Sequence, residues 1–347
     1  MAKKPDTTLM EVAEKAGVHY ATASRALDPA KNHLLSDKTV ARIQDIAAEL
    51  GYHANLAARG LRKGVSQTIG VAVADFGNPF LAPILRGMES ALGDAGYWPL
   101  IAETGDDPKK VEIVVKNLIA RNVDGIVVSS ARFADEEWLR KVATHTPLVL
   151  AVRDLGSPDF NSVTHDDFMG GRIAAEHLIG LGHKKIAQIK GLQDASSFSG
   201  RAAGFESALA EAGLKDYSVS EYQGNPNYDG GFEGAMQLLS QETFPTAIFA
   251  HNDSMAVGAM EAFSKVGINC PRDYSIIGYN DAPMTAQLSP PLSTIRLTAE
   301  ILGQKAAELI LAEINQSNPG PVIERLKPEL VARESARKIN FADRPTK

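Results

Sequence analysis

The 347-residue chain is almost without cysteine. Cys270 stands alone, which excludes an internal disulfide framework and a thiolate metal cluster within one chain. A lone thiol of this kind is expected as a small buried hydrophobe. Long apolar runs are also missing. No stretch is long enough to span a membrane, and the opening MAKKPDTTLMEV has no apolar h-region, so a secretory signal is not expected and the chain is assigned to the cytoplasm. The eight histidines are scattered, and His177 and His183, which lie closest together, are spaced across a helix end rather than at metal-ligand spacing. There is no Gly-rich phosphate loop, no GxSxG elbow and no HExxH pair, so the expectation is no enzyme, no cofactor and no metal. The tail ARKINFADRPTK lacks a leucine heptad and so a tetramer-forming helix.

What is present is a globular composition, 44% hydrophobic and 22% charged, in a chain long enough for two or three domains. The charge is divided unevenly. Residues 1–64 hold 10 Lys+Arg against 7 Asp+Glu, whereas the remainder holds 26 against 35. A basic head on an acidic body suits a head that meets phosphate and a body that does not.

The head carries the sharpest pattern, TLMEVAEKAGVHYATASRALD at 8–28. Thr8 with Glu11 is a capping box, so a helix starts at Leu9; its inward stripe is Leu9, Val12, Ala13 and Ala16, and Gly17 ends it. A second helix from Tyr20 to Leu27 turns small Ala23 and Ala26 inward for close crossing. Its outward face of Tyr20, Ala21, Ser24 and Arg25 offers groups that suit base edges and phosphates, as in a helix-turn-helix. An ordinary helical hairpin has the same periodicity. Ser36 caps a third helix, with Val40, Ile43, Ile46, Ala47 and Leu50 inward.

In residues 52–64, YHANLAARGLRKG, Asn55 can cap a helix too short and too Gly-interrupted to stand alone. Leu61 beside Arg62 and Lys63 has the make-up of a minor-groove wedge. A plain linker with one packed leucine fits the segment equally.

From Thr68 the chain alternates strand and helix. Strand cores are expected at 68–75, 98–103, 124–130, 147–154, 184–191, 246–253 and 274–281, with helices Pro83–Ala95, Pro108–Arg121, Gly170–Gly180, Gly200–Ala212, Tyr228–Ser240 and Ser254–Val266 between them. Continuous apolar strands joined by amphipathic helices mean a doubly wound parallel α/β sheet, here in two similar halves. Ligands collect at the carboxyl ends of such strands. Those ends carry Asp75, Asn78 and Phe80; Ser129, Ser130 and Arg132; Arg153 and Asp154; Asn252 and Asp253; Asn280 and Asp281; and Arg201 opens a helix. The set suits a polyhydroxylated ligand, whose hydroxyls each need a donor and an acceptor. Polar residues also follow strands simply as caps and turns.

These strings, with LLSDKTVARIQDIAAELGYHANLAARGL, TIGVAVADFGNPFLAPILRGME, AIFAHNDSMAVGAMEAF and YSIIGYNDAPMTAQLSPPLSTIRL, resemble the lactose-repressor (LacI) family of bacterial transcription regulators over nearly the whole chain. The resemblance implies a helix-turn-helix head at 1–53, a hinge helix and linker at 54–66, and a core of the periplasmic-binding-protein type at 67–341, with a tail at 342–347. The N-subdomain of that core would take 67–164 and 296–321, and the C-subdomain 165–295 and 322–341. It implies a homodimer on a pseudo-palindromic double-stranded DNA operator, a repressor rather than an activator. Tyr20, Ala21 and Arg25 fall on base-reading positions. Thr8, Thr22, Ser24, Ser36, Thr39 and Asn55 fall on backbone-contacting ones, Ala58 is placed with the hinge contacts and Leu61 on the wedge. The effector, a sugar, a polyol or cyclitol, or a nucleoside, would meet Asp75, Asn78, Phe80, Arg132, His165, Arg201, Asn252, Asn280 and Asp281. The chain departs from the family at His19, Ala54, Val152 and Pro226, which leaves His165 or Phe80 to stack on the ligand. A transport protein with the same core would need a signal peptide and no basic head.

Overall fold

The structure, a computed structural model, describes residues 7–28, 31–52, 64–214, 218–221, 226–317 and 320–338. It divides into two compact units, one up to Ser66 and one from Gln67 onward. Ala54, Asn55, Ala58, Leu61, Arg62 and Lys63 of the expected hinge, and the tail from 342, lie outside the described residues.

In the first unit, α1 (Leu9–Lys15), α2 (Tyr20–Ala26) and α3 (Asp37–Glu49) form a three-helix cluster. The capping box is complete: Glu11 N–H donates to Thr8 Oγ1 at 3.3 Å and Thr8 N–H to Glu11 Oε2 at 2.7 Å. Gly17, at φ +61°, makes the left-handed turn after α1. His19 caps α2 through its ring, Nδ1 accepting from Ala21 N–H at 3.2 Å, the work a Ser or Thr hydroxyl commonly does. The core is small: Val12, Ala13, Ala16, Ala23, Ala26, Ile43 and Ala47, five of them alanines, of which Ala13, Ala16, Ala23 and Ala26 let α1 and α2 approach closely.

The second unit holds twelve strands among its described residues. They are β1 (Thr68–Val73), β2 (Trp98–Glu103), β3 (Gly125–Val128), β4 (Leu148–Ala151), β5 (Asn161–His165), β6 (Ile186–Lys190), β7 (Ser218–Glu221), β8 (Ala247–Ala250), β9 (Ser275–Asn280), β10 (Ser293–Arg296), β11 (Ile323–Leu326) and β12 (Glu329–Val331). They make two six-stranded sheets, ordered β11-β5-β4-β3-β1-β2 and β12-β10-β9-β8-β6-β7. All pairs are parallel except β10 with β12. In each sheet the first strand to enter lies between the second and third, so each half has its own topological switch point.

The chain passes between the sheets after β5, after β10 and after β11. The last passage corrects the boundary expected at 321/322: Ile323 pairs with Ser162 and Leu326 with His165, so this strand belongs to the first half. A four-residue edge strand carries no residue pattern that marks which sheet it joins.

Helices α4 (Leu81–Asp94), α5 (Pro108–Ile119), α6 (Glu136–Ala143), α7 (Asp167–Gly180), α8 (Ser196–Glu211), α9 (Tyr228–Leu239), α10 (Asp253–Lys265) and α11 (Ala299–Ile314) cover the sheets. Three pairs pack through reciprocal glycines. A Cβ on Gly87 of α4 would lie 2.0 Å from Glu300 O, and one on Gly303 of α11 would lie 1.9 Å from Ile84 O. Gly171 and Gly204 repeat this on α7 and α8, facing Arg201 O and Phe168 O; Gly231 and Gly258 repeat it on α9 and α10, facing Met255 O and Tyr228 O. In every pair each glycine faces the carbonyl three residues before its partner. The backbones therefore touch, and no side chain fits between them.

Candidate functional site

The head presents α2 outward. Arg25 is exposed, with no ion pair or hydrogen bond to its guanidinium among the described residues, and Tyr20, Ala21, Thr22 and Ser24 are half-buried beside it. Thr8 and Ser36 lie exposed at the N-termini of α1 and α3, where helix amides and the positive dipole end favour an anion. Ser36 Oγ is 2.8 Å from Thr39 Oγ1, so the two hydroxyls share one cap. Hydroxyls, amides and the Arg25 guanidinium on one short helical unit can hold phosphates and read a groove.

In the second unit a cleft opens at the carboxyl ends of the strands. Six of the nine expected effector residues line it: Asp75, Asn78, Phe80, Arg201, Asn252 and Asn280. Ser129, Val152, Arg153, Ser197 and Phe198 line it too, with Ala74, Leu81 and Ile84 as apolar floor. Phe198 was not foreseen. It sits one helical turn before Arg201 on α8, a spacing that shares a face, and that i, i+3 relation was the available clue.

Both cleft arginines are already paired. Arg153 holds Asp106 with two bonds, Nη1 to Oδ1 at 2.6 Å and Nη2 to Oδ2 at 2.8 Å, and all of it is buried. Burial pushes the Asp106 carboxyl up, but the Arg153 fork and the nearby Arg132 charge bring it below its ordinary value. Arg201 Nε donates to Asp167 Oδ1 at 2.8 Å and Nη1 to His251 O at 2.6 Å, while burial raises the Asp167 carboxyl. The Arg201 guanidinium also lies near the Phe198 ring, 5.0 Å from its centroid.

Other polar groups in the cleft are partly engaged. Asp75 accepts from Gly77 N–H at 2.7 Å and Asn78 from Phe80 N–H at 3.0 Å, which shapes the turn after β1. Asn252 caps α10 through Met255 N–H and donates to Pro226 O at 2.6 Å. Asn280 differs: its Oδ1 is buried and has no hydrogen-bond partner among the described residues. A buried acceptor left unmatched costs about 1–3 kcal/mol, so it marks where a donor is wanted. Val152 lines the cleft at φ +69°, a conformation costly for a β-branched residue.

Three expected effector residues are not on the cleft lining. His165 is buried beside Phe80, ring centroids 6.2 Å apart, with Nε2 3.5 Å from Thr298 Oγ1; burial and the Arg201 charge hold its pKa down to about 3. Arg132 bonds Asp194 at 2.7 Å and the Asp106 carbonyl. Asp281 ties Arg333 at 2.6 Å, Arg296 at 2.7 Å and Thr285 at 3.1 Å, bracing β9, β10 and the segment after β12. Residues following a strand end read alike in sequence, and only the fold shows which turn inward and which turn back. Among the described residues no group of three or more His, Cys, Asp or Glu could hold a metal ion, and no helix is long and apolar enough to cross a membrane. Cys270 is half-buried, as a small hydrophobe with Sγ 3.3 Å from Ser335 O.

Comparison with known proteins accounts for both units. Residues 8–55 match the bacterial regulatory proteins, lacI family, and residues 175–336 a periplasmic binding protein-like domain. The HTH-type transcriptional repressor PurR of Mannheimia succiniciproducens is 31% identical over 333 residues, 96% of this chain and 99% of that protein. The ribose operon repressor of Haemophilus influenzae is 32% identical over 330 residues, 94% of this chain and 98% of that one. Among solved structures, a lac repressor dimer bound to operator and the anti-inducer ONPF has a TM-score of 0.84 at 28% identity, covering 96% of this chain and 99% of that one. A LacI family regulator from Enterococcus faecalis with bound ribose has a TM-score of 0.71 at 30% identity, covering 79% of this chain and all of that one. With its helix-turn-helix head and two-sheet core each accounted for along almost its full length, the chain belongs to the lacI family of bacterial regulatory proteins, as an effector-responsive transcriptional repressor rather than an enzyme.

Proposed function

We propose that this repressor is switched by a small uncharged polyhydroxylated ligand, a sugar, polyol or cyclitol, or nucleoside, bound in the cleft of its core. The observation that carries this is the charge balance of the lining: Arg153 and Arg201 are each matched by a buried aspartate, so neither is left over for a phosphate. Asn280 Oδ1 awaits a hydroxyl donor, Asp75, Asn78 and Ser129 offer further partners, and Phe80 and Phe198 offer ring faces. Ribose stands as the first candidate because a relative is a ribose operon repressor and a structural neighbour holds ribose.

On DNA, Tyr20, Ala21 and Arg25 read base edges, while Thr8, Thr22, Ser24, Ser36 and Thr39 hold phosphates; Asn55, Ala58 and Leu61 complete the hinge contacts. The chain acts as a homodimer on a pseudo-palindromic operator, in the cytoplasm where the chromosome is, and a dimeric, operator-bound neighbour supports this. Effector and operator are linked by an ordinary coupling of about 1–3 kcal/mol.

The test is a thermal-shift panel of D-ribose, D-glucose, myo-inositol, adenosine and ribose 5-phosphate. At a hundredfold excess over Kd a ligand stabilises by about 2.7 kcal/mol. Stabilisation by an uncharged compound, which then shifts operator affinity, is expected. A response to ribose 5-phosphate alone would overturn the uncharged-ligand reading.

A further inference from the structure

The loop before α8, in the second half of the core, is held by two loops of the first half. Arg132 Nη1 donates to Asp194 Oδ2 at 2.7 Å, Phe133 N–H to Asp194 O at 3.1 Å, and Asp154 N–H to Ser196 Oγ at 2.9 Å. Arg132 follows β3 and Asp154 follows β4, whereas Asp194 and Ser196 follow β6. These bonds therefore bridge the two sheets at the mouth of the cleft, apart from the three covalent passages.

Arg132 is also tied to the cleft lining. Its Nη2 donates to the Asp106 carbonyl and lies 3.6 Å from Asp106 Oδ1, the oxygen that Arg153 Nη1 holds at 2.6 Å. A continuous chain thus runs from Arg153 in the cleft through Asp106 and Arg132 to Asp194 across it. Arg132 is 7% exposed, while the Asp194 side chain is 52% exposed, so the bridge has one anchored end and one end open to water. A buried guanidinium built into one half and reaching a solvent-facing carboxylate of the other is a closure that forms or breaks at little packing cost.

We infer that Arg132 and Asp194 form a latch that holds the two halves of the core closed over the cleft, and that Asp106 passes the state of Arg153 to it. This deepens the cleft reading and rests on it for its consequence, since a ligand engaging Arg153 then acts on the latch. Arg132 is a positioning residue: it does not line the cleft but sets how the lining halves meet.

The amides of Phe133 and Asp154 report the latch directly by hydrogen–deuterium exchange on the full chain without ligand. Asp194→Asn removes the charge at a half-exposed position and should raise exchange at both amides at least tenfold, while Asp194→Glu restores most of the protection. Arg153→Lys, which loosens the grip on Asp106 and touches neither Phe133 nor Asp194, should raise exchange at Phe133 as well. Unchanged exchange in Asp194→Asn overturns the latch. A rise in Asp194→Asn with none at Phe133 in Arg153→Lys overturns the relay through Asp106. Because no ligand is present, a negative sugar panel leaves this result standing, and a failed latch leaves the cleft reading standing.

Discussion

The Arg201 guanidinium lies over the Tyr279 ring, 3.8 Å from its centroid, while its Nε donates to Asp167, so one side chain joins α8, α7 and β9 beneath the cleft. A flat, forked cation is needed for both contacts at once. Arg201→Ala would strand a buried Asp167 and should destabilise the core by about 3–5 kcal/mol in urea unfolding. Arg201→Lys keeps the charge and loses the plate. It should fold, bind operator normally and fail to respond to whichever compound the panel identifies, and an intact response would remove Arg201 from the ligand's contacts.

Arg25 is exposed on α2, so its replacement separates DNA reading from stability. Arg25→Ala should leave the unfolding midpoint nearly unchanged and weaken specific operator binding by about 1–3 kcal/mol. Equal weakening on operator and random DNA would instead make it a phosphate contact.

Glycines inside and outside the reciprocal pairs predict opposite outcomes for one kind of substitution. Gly204→Ala would push a methyl to within 1.8 Å of Phe168 O and should cost at least about 1–3 kcal/mol, since backbone cannot give way as a side chain does. Gly93→Ala, near the end of α4 with nothing within 4 Å, should stabilise by about 0.5–1 kcal/mol. Differential scanning calorimetry of the two variants decides it, and a tolerated Gly204→Ala would show that the helix contact is looser than described.

Asp253 supplies a pH dependence. Its carboxyl is buried at the start of α10, accepting from Ala282 N–H at 2.7 Å and the Thr294 hydroxyl at 2.6 Å. Burial, and then the Asp281 charge, hold its pKa up at about 7. A raised folded pKa means that the proton favours the fold: the contribution is complete below the ordinary carboxylate pKa near 4 and is lost as pH rises through about 7. His165, held down at about 3, acts in the opposite sense, its contribution being lost as pH falls below about 6.5. The comparison with Asp253→Asn isolates the first. The variant's stability relative to the parent should rise by on the order of 2 kcal/mol from pH 5 to pH 8, and a constant difference would place the Asp253 pKa outside that window.

Much of this architecture was readable because its cues are local. The capping box at Thr8, the alanines of α2 and the apolar runs of β1, β3, β4 and β8 each declare themselves within a few residues. Strands β5, β7, β10, β11 and β12 did not, being short and polar or alternating, as in NSVTH and IERL, and held as strands by their neighbours. Helix α6 is only eight residues long, whereas α11 does carry a stripe, with Leu302, Ala306, Leu309 and Ile310 buried and Glu300, Gln304 and Glu308 exposed, but it follows the short polar strand β10 and so lacked the apolar strand that marks the other helices. In the cleft, Asp75 and Asn280 follow from strand ends alone, whereas the outward turn of Arg132 and Asp281 depends on Asp194 and Arg333, partners 62 and 52 residues away.

The three glycine pairs also bear on how such a repressor changes over generations. Residues lining the cleft, Val152, Phe198 or Asn280, can be exchanged one at a time, each altering what the cleft accepts. The spacing of α4 with α11, α7 with α8, and α9 with α10 has no such gradual route, because a side chain added to either glycine meets the other helix's backbone. New ligand preferences are therefore open to single steps, while the frame that carries them moves only by simultaneous change on two helices.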